Sequence, residues 1–146
     1  MLIDCPPVHR RLFAQLAKEL IIQGDSVRAK KVLAYAEQAV PGYNVPETYE
    51  SGSYSIATAY AALGEKMKAI TLTEHLIAEA EDYINWAFSL KGNRMEMVRN
   101  DCIYKFWQWN QCNELLKKVD EESYKESNRR FEDKYALFAP NMGYKN

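Results

Sequence analysis

An all-α fold built from stacked, antiparallel helix hairpins is predicted by three features of the chain. Gly24-Asp25 with Ala29 recurs forty residues later as Gly64-Glu65 with Ala69. Apolar residues return at steps of three and four through most of the segments between breakers, which is the spacing of one helical face. Single glycines and the pair Pro41-Gly42 interrupt those segments at hairpin distances. The expectation is about six helices in one domain over 1–146, with repeat units at about 10–43 and 50–83, a divergent helical unit at about 94–138 and a loose tail at 139–146.

The first helix is expected from about Val8 to Gln23, because Leu12, Leu16 and Leu20, flanked by Phe13 and Ala17, fall on one face. Gly24 ends it, and Asp25-Ser26 can cap a second helix carrying Val32, Leu33, Ala36 and Val40. After a linker holding Pro46, a third helix carries Ile56, Ala57, Tyr60 and Leu63 up to Gly64. A fourth, with Ala69, Ile70, Leu72, Leu76 and Ile77, meets no breaker before Lys91-Gly92-Asn93. Continuing its register puts Tyr83, Trp86, Ala87 and Leu90 on one stripe that needs a packing partner. The seam Val98, Cys102, Phe106, Trp109, Cys112, Leu116 and Val119 supplies one from about Arg94 onward. In the sixth helix Tyr124, Asn128, Phe131, Tyr135 and Phe138 form the inner stripe. Its other faces are rich in Glu, Lys and Arg, a solvated and pair-rich exterior. Pro140 and Gly143 mark the tail.

Composition narrows the function classes. A chain of 146 residues, 47% hydrophobic, can bury a substantial core without disulfides or metals. Nineteen Lys plus Arg against twenty Asp plus Glu leave a net charge of -1, which removes the electrostatic case for nucleic acid or an anionic membrane surface. No apolar run approaches a membrane span, and Met1 is followed by Asp4 and Pro6-Pro7 rather than a signal-peptide core, so the chain reads as soluble. Cys5, Cys102 and Cys112 lack CxxC spacing; the latter two lie about 15 Å apart along one helix, too far to bridge, and read as small apolar fillers.

The hairpins resemble tetratricopeptide repeats. Phe13, Leu16, Ala17, Leu20, Gly24, Ala29, Leu33, Ala36 and Pro41 fill the pattern in the first unit. In the second, Ser53, Ile56, Ala57, Tyr60, Gly64, Ala69 and Leu76 do so. That resemblance implies a right-handed stack whose paired helices cross most closely at Ala29 and Ala69.

A second likeness covers nearly the whole chain. Gly24-Asp25, Arg28-Ala29, Lys31-Val32-Leu33 and Val45-Pro46 are followed by Ile56-Ala57 with Tyr60, Leu63-Gly64 and Lys68-Ala69, then by Trp86-Ala87-Phe88-Ser89-Leu90. This succession resembles the soluble C-terminal region of multi-spanning Bacteroidetes membrane proteins of the protein O-mannosyltransferase-like family, whose membrane part holds a domain of unknown function. The likeness implies a domain excised from a larger protein, on the periplasmic face of the inner membrane, with any glycosyl-transfer chemistry in membrane loops absent here. No catalytic residue carries over. The Trp-rich fifth helix and the Asn-Met-Gly-Tyr tail depart from the family pattern.

Sites for chemistry are sparse. His9 and His75 share no ligand set with Cys or carboxylate, and Glu74 and Glu79 beside His75 read as solvated neighbours. No Gly-x-Ser-x-Gly elbow and no glycine-rich phosphate loop is present. Neither a catalytic residue nor a metal or cofactor is expected. Helical-repeat domains bind through extended surfaces, and the first helices of the units would present Arg11, Lys18, Tyr54 and Thr58 to a protein or peptide partner. On the fifth helix Phe106 and Trp109 read as core, whereas Tyr104 and Trp107 point elsewhere and can anchor a partner. Tyr43, Tyr49 and Tyr54 around Pro46 read as loop packing. The expected function is a noncatalytic interaction domain of a membrane glycosyltransferase-like protein. A free-standing cytoplasmic adaptor is the alternative, and a small enzyme with an unrecognised site the third reading.

Overall fold

The computed structural model describes residues 6–40 and 48–142, with side chains described over 9–40 and 48–140. Cys5, Pro41-Gly42, Tyr43, Val45-Pro46 and Gly143 lie outside the described residues. The fold is all-α, and no strand occurs among the described residues. The helices are α1 (Pro6–Ile22), α2 (Ser26–Ala39), α3 (Ser53–Ala62), α4 (Lys66–Phe88), α5 (Arg94–Met97), α6 (Arg99–Val119) and α7 (Glu121–Phe138), and a 3-10 turn follows at Ala139–Met142. The chain divides into two compact units, 1–76 and 77–146, the division falling inside α4.

In the first unit the forty-residue repeat is a repeat of backbone geometry. Gly24 and Gly64 both adopt positive φ, +82° and +75°. Around Gly24 the Asp25 N–H donates to the Leu20 carbonyl at 2.8 Å and the Gly24 N–H to Ile21 at 3.0 Å. Around Gly64 the Glu65 N–H donates to Tyr60 at 2.9 Å and the Gly64 N–H to Ala61 at 3.1 Å. Both turns are Schellman caps, which satisfy the last carbonyls of a helix through a left-handed residue. The next helix then starts at once: the Asp25 carboxylate accepts the Arg28 N–H at 3.1 Å as N-cap of α2.

The alanines of the repeat are buried as pairs: Ala17 with Ala57, and Ala29 with Ala69. Leu33, Ala36, Ile56, Tyr60 and Leu76 complete this core. Ala29 has no exposed surface, so Ala29→Leu is expected to cost about 2 kcal/mol by overpacking. A denaturant midpoint equal to that of the parent chain would show that the helices do not close on this position.

Burial on α1 differs from the expected face. Ala14, Ala17 and Arg10 are buried, while Leu12 is 60% and Leu16 49% exposed. A helix face packed this closely takes the small residues, and the leucines turn outward.

In the second unit α6 packs on α7. The segment of α4 from Ile77 onward is tied to both by Lys105–Glu79 at 3.1 Å, Arg130–Glu81 at 3.2 Å and a Lys134-to-Asn85 hydrogen bond at 2.6 Å. Three corrections to the expected stripes follow. On α4 from Ile77 onward the expected Ile77 and Ala87 are buried, but they are joined by Ala80 and Ile84, whereas Trp86 is exposed and Tyr83 reaches across to the Asp101 carboxylate at 3.3 Å. The expected fifth helix is broken at Val98, whose φ and ψ of -109° and 9° leave the helical region and separate α5 from α6. On α7 Phe138 is buried as expected and is joined by Ser127, whereas Tyr135 stays exposed and Asn128 turns toward Glu132.

The centre of this unit is aromatic. The Phe106 ring lies 5.7 Å from Phe131, 5.6 Å from Tyr135 and 5.1 Å from Phe138. Trp109 meets Phe131 edge to face at 5.4 Å, a geometry that rings prefer over a face-to-face sandwich.

Candidate functional site

A cleft of about 400 Å³ opens in the first unit. Its apolar wall comes from Leu33, Ala36 and Val40 of the second-helix stretch, Ile56 of α3 and Leu72 of α4. Leu33, Ala36, Val40 and Ile56 also belong to the buried core of the unit.

The polar groups of the cleft come from all four helices. The Tyr60 hydroxyl donates to the Glu37 carboxylate, which also lies 3.4 Å from the Lys68 ammonium. That ammonium stands over the Tyr60 ring at 5.4 Å, a cation–π contact. Thr71 and the exposed His75 continue this edge along α4, and Met67 stands beside them 71% exposed. At the other end Arg10 is buried and donates to the Val40 carbonyl at 2.9 Å and the Ser51 hydroxyl at 3.1 Å. A cleft that is apolar within and polar at the edge has the general form of a binding pocket.

The residues expected to carry binding are placed otherwise. Arg11 is exposed on α1 and donates to the Glu50 carbonyl. Lys18 is exposed two turns further along the same helix. Tyr54 is half-buried, its ring 4.9 Å from Tyr49, and its carbonyl accepts the Thr58 hydroxyl at 2.9 Å. None of these four lines the cleft. Tyr104 and Trp107 lie in the second unit, 44% and 46% exposed, and their rings stack at 5.7 Å.

Sequence reasoning missed Glu37, Met67, Lys68 and Thr71. The only signal available was Tyr60, a large polar ring on an otherwise apolar stripe, which marks a place where a hydroxyl must find a partner.

Among the described residues no group of three His, Cys, Asp or Glu side chains is placed to hold a metal ion. Cys102 and Cys112 are buried free thiols. Burial, with a smaller contribution from Asp101, pushes the Cys102 thiol up to about 11. Burial and then Glu79 push Cys112 up to about 12. Both are therefore protonated at neutral pH and poor nucleophiles. No helix among the described residues is long and apolar enough to cross a membrane. No protein-family profile, curated protein or solved structure matches the chain.

Proposed function

We propose that the chain is a noncatalytic, tetratricopeptide-like interaction module whose first-unit cleft receives apolar side chains of a protein or peptide partner. The observation that carries this reading is the cleft itself, with an apolar wall of Leu33, Ala36, Val40, Ile56 and Leu72 beside the exposed Met67 and the Glu37–Lys68 pair. The tetratricopeptide-like arrangement is supported by the paired burial of Ala17 with Ala57 and of Ala29 with Ala69, and by two matching Schellman turns. The wider setting, as the soluble part of a membrane glycosyltransferase-like protein at the periplasmic face, rests on the resemblance alone. Several hydrophobic spans upstream in the parent reading frame would support it, and a frame without them would favour an adaptor in the cytoplasm.

The test is selection of short peptides from a random library on the purified chain, followed by affinity measurement. Met67→Asp with Lys68→Glu is expected to weaken a selected peptide about tenfold or more. The melting temperature should hold, since both side chains are at least half exposed. Charge reversal at Arg11 and Lys18 provides the second arm, reporting on the first-helix contacts expected from sequence. Affinity that survives the cleft substitutions but not the Arg11 and Lys18 reversals would move the site to the outer face of α1.

A further inference from the structure

The polar edge of the cleft limits which side chain can enter. Glu37 lines the cleft from α2, and its two carboxylate oxygens are used unequally. Oε1 accepts the Tyr60 hydroxyl and lies 3.4 Å from the Lys68 ammonium, whereas Oε2 accepts nothing among the described residues. The Glu37 side chain is half exposed, so Oε2 is open to an incoming donor, the only kind of hydrogen-bonding group that an ionised carboxylate can receive. The same cleft offers an apolar wall of Leu33, Ala36, Val40, Ile56 and Leu72, and the thioether of Met67 stands exposed among the lining residues.

We propose that the cleft selects a neutral aromatic donor of the partner, the indole N–H of a tryptophan or the phenol O–H of a tyrosine, with Glu37 Oε2 as its acceptor. This rests on the reading above that the cleft receives partner side chains, and it names which ones. The apolar wall calls for an apolar body, and the open carboxylate oxygen calls for a donor at its tip. Lys and Arg also join an apolar stem to a donor. Their charge, however, would meet the Lys68 ammonium, which already balances Glu37. Ser, Thr, Asn and Gln bring a neutral donor without the apolar body. Met67 adds the preference for a ring: its unbranched side chain can adapt to a ring edge, where a thioether makes a favourable contact.

The experiment titrates the full chain, isotopically labelled, with capped pentapeptides that are identical except for Trp, 1-methyl-Trp, Tyr, Phe or Leu at the centre. The Trp and Tyr peptides should shift the signals of Leu33, Ile56 and Met67. A 1-methyl-Trp keeps the ring and loses the donor, so it should bind about tenfold more weakly than Trp, and Phe should fall below Tyr by a similar factor. Glu37→Gln keeps the oxygen that Tyr60 and Lys68 share and sets an amide NH2 in place of Oε2. It should erase the advantage of Trp over 1-methyl-Trp while Phe-peptide affinity and the melting temperature hold. Equal affinity of Trp and 1-methyl-Trp for the unchanged chain, or a Leu peptide binding as tightly as Trp, would overturn the aromatic donor and leave the cleft reading standing. A Trp advantage that survives Glu37→Gln would overturn the role of Oε2. Absence of cleft shifts with every peptide would overturn both this inference and the reading on which it rests.

Discussion

Gly52→Ala is expected to destabilise the first unit by about 3 kcal/mol, combining backbone strain with overpacking. Gly52 holds φ at +91°, a region that residues with a side chain rarely adopt. A methyl group there would also lie 2.9 Å from the Arg11 Cγ and 3.0 Å from the Arg11 backbone nitrogen. A side chain can move aside, but the helix backbone cannot do so alone. Displacing α1 would disturb Arg10, whose guanidinium joins α1 to the Val40 carbonyl and the Ser51 hydroxyl. Gly64→Ala is the control: it shares the left-handed backbone, at φ +75°, and has open space around it. Its cost should be nearer 1 kcal/mol. Thermal unfolding followed by helix signal should therefore show Gly52→Ala melting several degrees below Gly64→Ala, at roughly 3 °C per kcal/mol for a chain of this size. Equal losses for the two would refute the close approach of α1 to Gly52.

The second large effect is expected at Ser127, in the core of the other unit. Its hydroxyl accepts the Trp109 indole N–H at 2.8 Å and donates to the Asn113 carbonyl oxygen at 2.5 Å. All three residues are buried. Ser127→Ala removes one small atom and leaves a donor and an acceptor without partners away from water, at a cost of roughly 3 kcal/mol. Asn113 Nδ2 already finds no acceptor among the described residues. Adding Asn113→Leu to Ser127→Ala should therefore recover about 1 kcal/mol by removing both orphaned amide groups. Urea titration followed by tryptophan fluorescence measures the cycle. A single Ser127→Ala variant within about 0.5 kcal/mol of the parent would mean that the network contributes nothing.

The two glycine turns of the repeat and these two positions differ in how far the sequence betrays them. Gly24 and Gly64 were readable as turns because each ends a periodic apolar run and is followed by a cap or an acidic residue. Gly52 sits between serines, and nothing local says that another helix passes over it. Ser127 is equally silent, since a serine on a charged helix reads as surface until Trp109 is seen above it. The cleft shares this difficulty. Glu37 and Lys68 lie thirty-one residues apart, and their pairing depends on how two hairpins are placed. The leucines of α1 misled for a different reason: hydrophobic spacing favours Leu12 and Leu16, but a close helix crossing admits Ala14 and Ala17. Trp86 and Tyr83 yielded the interior of α4 to Ala80 and Ile84 in the same way. The break at Val98 carries neither Gly nor Pro, so no breaker signal announced it.

By itself the sequence determined that the chain is helical, where α1 turns into α2 and α3 into α4, and that Ala29 and Ala69 are buried. Those are local consequences of glycine's access to positive φ, of a capping carboxylate, and of a side chain no larger than a methyl group. Only the tertiary structure decided which side of α1 is covered, that Glu37, Lys68 and Met67 border one cleft, and that Trp109, Asn113 and Ser127 share a buried network. These depend on side chains brought together from distant positions, and a helical period specifies that a face exists without specifying what lies against it.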